Sequence, residues 1–305
     1  MTTGAEIRIG VVGTDNSHTE QILRLLNTEG RLPGVRVTAL SSGDADRAAR
    51  LAVDAGVEHV LDRPDQLPPL VDAVIVTDRD GGLHAAHTLP LLRSGLPVLV
   101  DKPLATTVAD ARSMLVAAAA SAAPLTSFSA LRWLPAVADL TDPVTPPVAL
   151  QVTGPASPTS EYGGVFFYGI HAVELACQLA RGRATFLDAR IHGGAAVVRL
   201  RIGETAATVV LVDPAAGTVP FHVSAVRPDR VDAAAIQLDA DYLLPGLTRF
   251  VEMVRSGERP LSDDEMLDPI RILAELSEHW PSPAGRPNPE GRPNPEGRPS
   301  LQGRP

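Results

Sequence analysis

The chain has 305 residues, 44% of them hydrophobic and 21% charged, and a formal net charge of −9 at pH 7. That length accommodates two domains, and the apolar share is that of an ordinary globular protein. The acidic balance, with no long Lys/Arg run, argues against nucleic acid or an anionic membrane as a partner. A single cysteine, Cys177, rules out a disulfide framework within the chain. The opening MTTGAEIRIG has no basic segment followed by an apolar one, so no signal peptide is expected. The weakly polar run around Val116 to Ala123 is too short to span a bilayer, and a cytoplasmic protein is expected.

Taken in chain order, Ile7 to Val12 reads as a strand, and Gly13 to His18 as the turn after it. Thr19 to Leu26 has helical spacing, Val35 to Leu40 is a second strand, and Asp46 to Ala55 is an amphipathic helix stopped by Gly56. Short apolar strands follow at Val57 to Leu61 and Asp72 to Thr77. A helix over Gly82 to Ser94 carries His84 and His87. Val98 to Val100 is a strand ending in Asp101-Lys102-Pro103, Val108 to Ala122 an alanine-rich helix, and Leu125 to Ser129 a strand. Strands apolar on both faces and alternating with helices predict a Rossmann-like, doubly wound parallel sheet over residues 1–125.

The pattern changes after Trp133. A Pro-rich stretch (Pro143, Pro146, Pro147, Pro155, Pro158) gives way to Gly163-Gly164 and an extended Val165 to Tyr168, and a helix begins at Gly169. Extended runs over Phe186–Ile191, Ala195–Ile202, Ala207–Val212, Val219–Val223 and Asp232–Gln237 lack helical period between them and predict a mostly antiparallel sheet. Helices are expected over Leu243 to Arg255 and Asp263 to Glu278. Residues 126–279 thus read as an α+β domain for substrate and oligomerisation. Residues 280–305, in which GRPNPE occurs twice, read as a disordered Pro/Gly-rich tail.

Several residues carry chemistry. A lysine at the C-terminal end of a parallel strand sits where such sheets bind ligands, and Pro103 stiffens the corner that holds Lys102. Gly13, Thr14, Asp15, Asn16, Ser17 and His18 form a turn leading into a helix N-terminus, a natural phosphate cradle. Asp15 and His18 stand where a dinucleotide fingerprint has its second and third glycines. Asp15 or Asn16 would cap the helix; His18 could donate to a phosphate or pack against the helix. Ser41 and Ser42 replace the usual ribose-binding acid, which makes NADP conceivable beside NAD, with Arg47 as a phosphate partner. His84 and His87 lack a third ligand, so no metal is expected. His171, with Glu174 on its helix face, is either a general acid/base or a packed histidine.

Thr77, His84-Ala85, Leu92, Gly95, Val98 and Asp101-Lys102-Pro103-Leu104 resemble the run ending in A-G-K-x-V-x-x-E-K-P-L of the Gfo/Idh/MocA family of NAD(P)-dependent oxidoreductases. Arg132-Trp133 resembles that family's Arg-aromatic pair, Gly169-Ile-His171-x-x-Glu174 its G-x-H-x-x-D motif, and Phe250 to Gly257 with Pro260 its penultimate helix and loop. The resemblance implies NAD or NADP as cofactor, Lys102 and His171 as catalytic residues, and Thr77 and Lys102 among the cofactor contacts. It also implies Lys102, Arg132 and His171 at a small sugar-like or polyol substrate, and Tyr168, beside Phe167, is a further candidate for contacting it. Phe167 stands where the family often has an acid. A lyase or epimerase with a recycled cofactor, and a non-catalytic binding protein, remain the alternatives. A homo-oligomer through the second domain's sheet is expected.

Overall fold

The computed structural model describes residues 6–142, 144–216 and 219–281. The first sheet has strand order β3-β2-β1-β4-β5-β6 with every pairing parallel. Its strands are β1 (Ile7–Val12), β2 (Val35–Ser41), β3 (His59–Leu61), β4 (Ala73–Val76), β5 (Val98–Asp101) and β6 (Leu125–Phe128). All four residues of β4 and of β6 are buried, as expected of strands covered on both faces. The helices between them are α1 (Ser17–Leu23), α2 (Ala45–Ala55), α3 (His84–Arg93) and α4 (Val108–Ser121). Local sequence sets their ends. Asp44 and Thr107 cap α2 and α4 with their side chains, and Gly56 stops α2 in the left-handed conformation. The chain leaves this sheet after Phe128, a few residues beyond the expected boundary at 125.

After α5 (Pro135–Leu140), the second sheet is built in the order β12-β11-β7-β10-β9-β8. Its strands are β7 (Ala149–Pro155), β8 (Ala184–His192), β9 (Ala195–Ile202), β10 (Thr205–Val212), β11 (Phe221–Val226) and β12 (Val231–Ile236). Four of its pairings are antiparallel, and β7 runs parallel to β10. One face is covered by α6 (Phe166–Ala180) and α8 (Asp263–His279), and α8 also packs on α4 of the first domain. Between the second sheet and α8 runs α7 (Leu244–Ser256). Among the described residues no helix is long and apolar enough to cross a membrane.

Two elements differ from the sequence reading. Strand β7 lies inside the Pro-rich stretch and is central in its sheet. The prolines flank it, so Val148 to Gly154 are free to pair, and Pro155 closes the strand. Phe166 to Tyr168 are the first turn of α6, not an extended lead-in. Four apolar residues after a Gly-Gly pair carry no period of their own. Burial of Phe166, Phe167 and Ile170 together makes the segment helical. Trp280, expected to begin the tail, is buried, and the remainder of that tail from residue 282 lies outside the described residues.

Candidate active site

Strand β1 ends at Gly13, whose φ of +86° is a left-handed conformation; a Cβ there would lie 2.6 Å from the Asp78 backbone nitrogen. Asn16 caps α1 by accepting from the His18 backbone N–H at 3.0 Å, one of the two capping options open in the sequence. Asp15 accepts from the Arg79 backbone N–H at 3.3 Å. The Thr14 and Ser42 hydroxyls meet at 2.6 Å, joining the turn after β1 to the end of β2. Arg47, on α2, donates to the Thr14 carbonyl and to Glu20. Ser41 is buried and its hydroxyl has no hydrogen-bond partner.

At the end of β5, Asp101 collects three cationic or polar groups on one oxygen. His18 Nδ1 lies 2.8 Å from Asp101 Oδ2, Asn16 Nδ2 3.2 Å and Lys102 Nζ 3.9 Å. Burial alone would raise the Asp101 carboxyl. The facing His18 and Lys102 outweigh that and hold it well below the usual carboxylate range. Lys102 is 7% exposed, and its ammonium stands 4.9 Å from the centre of the Phe167 ring. The Lys102–Pro103 peptide is cis.

The second domain supplies the opposite wall. Phe167 and His171 are one turn apart on α6 and so share a face. His171 Nδ1 is 2.6 Å from the Ser129 hydroxyl. Burial, and then the charge of Lys102, push the His171 imidazole well below its ordinary value, so it is neutral. Ser129 also donates its backbone N–H to Glu174 Oε2 at 2.6 Å. Burial pushes the Glu174 carboxyl up to about 7, against the opposing pull of that N–H and of Arg132. Ser129, the residue just after β6, therefore ties His171 and Glu174 to the first sheet.

These groups line one cleft of about 730 Å³ above the carboxyl ends of the parallel strands, which Asp15, Asn16, Ser17, His18, Lys102, Tyr168 and His171 all face. Arg47 and Arg79 face it too, so in a chain of net charge −9 its fixed charges are three cations against Asp15. Arg79 stacks 4.4 Å over the Tyr162 ring. The positive lining beside the N-terminus of α1 suits a diphosphate, while Thr14 and Ser41 are buried behind it.

Other expected residues go elsewhere. Arg132 is buried against Glu265 of α8, at 2.5 Å, and borders a separate hollow beside Cys177. The structure does not bring it to the cleft. Thr77 is fully buried, its hydroxyl donating to the Val12 and Gly13 carbonyls, so it shapes the turn from beneath. His84 has a backbone carbonyl at each ring nitrogen, from Pro103 and Asp78, and His87 pairs with Asp78 at 2.7 Å. Sequence reasoning missed Ser129 as a site residue, along with Arg79 and Tyr242. Tyr242 packs edge-on to His18, 5.9 Å between ring centres. Ser129 had a signal, a polar residue closing an apolar strand; Tyr242 had none.

Residues 7–127 match the oxidoreductase family GFO_IDH_MocA, NAD-binding Rossmann fold. Over 105 residues the chain is 37% identical to inositol 2-dehydrogenase 3 of Saccharopolyspora erythraea, covering 34% of this chain and 30% of that protein. It is 35% identical over 113 residues to 1,5-anhydro-D-fructose reductase of Ensifer adhaerens, covering 36% and 32%. These matches span about a third of the length of the curated relatives. In fold the likeness extends further. A probable dehydrogenase from Thermotoga maritima superposes with a TM-score of 0.77 at 21% identity, covering 90% of this chain and 97% of that one. The myo-inositol dehydrogenase of Lactobacillus casei, solved with NAD(H) and myo-inositol, superposes at 0.71 and 17% identity, covering 93% and 99%.

Proposed function

We propose that this chain, whose residues 7–127 match the Gfo/Idh/MocA family of NAD-binding Rossmann oxidoreductases, transfers a hydride between NAD or NADP and a hydroxyl or carbonyl carbon of a small sugar-like or polyol metabolite. The observation that carries this reading is convergence. Lys102 from the first domain and His171 from the second face one cleft, which continues to the glycine turn and its arginines. The similarity to inositol dehydrogenases and an anhydrofructose reductase supports the substrate class.

The dinucleotide would be held by the turn from Gly13 to Ser17, by Ser42 at the end of β2, and by Arg47. When bound, it supplies the hydride chemistry. The remaining work falls to the chain. Lys102, nearly excluded from water, places a positive charge where the substrate oxygen gains negative charge, an effect that is strong in a desolvated site. His171 stays neutral and hydrogen-bonds the same oxygen, its ring direction fixed by Ser129. Tyr168, which is 40% exposed at the rim, contacts the rest of the substrate.

The test is calorimetry on the full chain with NAD(H) and NADP(H), followed by absorbance of the reduced nicotinamide with myo-inositol and other cyclic polyols. Binding in the micromolar range and polyol-dependent reduction are the expected results. Failure of all four dinucleotides to bind at about millimolar concentration refutes the reading. Beyond the cleft, we infer that a second copy of the chain covers the outer face of the second sheet. Val197, Val226 and Val231 lie exposed there, and light scattering would report the dimer.

A further inference from the structure

We propose that His18, aligned by Asp101, is the proton acceptor of the reaction, a role that stands on the hydride-transfer reading above. Three observations lead there. First, the position on α6 that faces Lys102 is Phe167, whose ring lies against the ammonium and exchanges no proton. Second, His18 lines the same cleft as Lys102 and His171. Its Nδ1 donates to Asp101 Oδ2 at 2.8 Å, and that carboxylate is largely shielded from water, ionised and held from behind by Asn16. A carboxylate bound to Nδ1–H fixes the tautomer and leaves Nε2 as the basic nitrogen, with no protein partner among the described residues. Third, His171 is a poor acceptor, since burial and the charge on Lys102 both oppose a proton on it.

In the oxidative direction the step balances as follows. The carbinol C–H bond breaks and its electron pair leaves with the hydrogen to the oxidised nicotinamide, which is reduced. The O–H bond breaks, its electron pair forms the second C–O bond, and the proton passes to His18 Nε2. Asp101 offsets the new imidazolium charge, and the proton then leaves to solvent through the open cleft. The groups facing His18 are Asp101 at the end of β5, Lys102 just after it, Tyr242 from the segment before α7, His171 from α6 and Asp15 from its own turn. Lys102 and His171 act on the oxygen electrostatically and by hydrogen bonding, while His18 takes the proton.

The test is H18Q and H18G in the full chain. Expected for H18Q are dinucleotide dissociation constants within about threefold of wild type, a fall in kcat for polyol oxidation of roughly 100-fold or more, and loss of the acid limb of the pH–rate profile. Added imidazole should restore part of the rate in H18G. Independently of turnover, nitrogen-15 spectra of the histidine side chains should show one imidazole locked as the Nδ1–H tautomer, absent in H18Q and unlocked in D101N. A kcat within threefold of wild type in H18Q, or an Nε2–H tautomer at His18, overturns the proposal. So does an H18Q protein that loses dinucleotide affinity but keeps kcat, since His18 would then be a phosphate contact. Failure of the underlying reading is distinguishable, because it appears as no dinucleotide binding by the wild-type protein.

Discussion

Replacing Glu174 by glutamine should make the protein more stable above neutral pH and not below pH 5. Glu174 is 6% exposed, and its folded-state carboxyl is pushed from the ordinary 4.5 up to about 7, chiefly by burial. A folded value raised above the unfolded one means that the folded chain binds the proton more tightly. The associated stability is fully present below pH 4.5 and is lost as pH rises through 7. At about 1.4 kcal/mol for each pH unit between the two midpoints, the loss is about 3 kcal/mol. Glutamine keeps an oxygen for the Ser129 N–H and cannot ionise, so E174Q avoids that loss. A misplaced amide would leave the N–H unsatisfied at a cost of about 1–3 kcal/mol, but as an offset equal at every pH. The assay is urea unfolding at pH 5, 6, 7 and 8, followed through the chain's two tryptophans, Trp133 and Trp280. The difference between variant and wild type should grow in favour of E174Q from pH 5 to pH 8. Parallel stability curves across that range would refute the assignment of a buried, ionisable carboxyl.

Lys102→Met should lower kcat by roughly 10²–10³-fold while leaving dinucleotide affinity within a few-fold, because the lost charge acts on the reacting oxygen; steady-state kinetics beside calorimetry separates the two effects. Gly13→Ala meets the Asp78 backbone at 2.6 Å and a left-handed φ, so a stability loss of about 2 kcal/mol or more is expected in denaturant titration. Asp241→Asn weakens the ion pairs to Arg24 and Arg31 that hold the segment carrying Tyr242 against the first domain. Its expected signature is a several-fold fall in kcat with dinucleotide affinity kept, because Tyr242 packs on His18, the proposed proton acceptor.

The parallel sheet was legible because its strands are apolar on both faces and its helices carry explicit stops, as at Gly56 and Gly95. Lys102 and His171 were paired only through the family resemblance, and the fold brings both to one cleft. What resisted reading was whatever depends on packing between distant segments. Strand β7 is central in its sheet, yet its sequence neighbourhood is dominated by prolines that merely bracket it. Phe167 and Tyr168 join α6 because tertiary burial, not local period, decides their conformation. Arg132 matched a family pair in sequence, but the fold turns it toward Glu265, a partner 133 residues away that no local pattern could supply. His18 could be weighed as a phosphate donor or a packed residue; its actual partner, Asp101, lies 83 positions on.

Ser129 has a consequence for how the two domains are kept in register. It is the hinge-point of a two-part instrument: one residue at the edge of the first sheet sets the alignment of two side chains from the second domain. A change that moved the end of β6 would therefore shift both side chains together, even with α8 still packed on α4. The family match covers residues 7–127, and the fold likeness to the Thermotoga maritima protein covers 90% of the chain, so both sides of this junction belong to the shared fold.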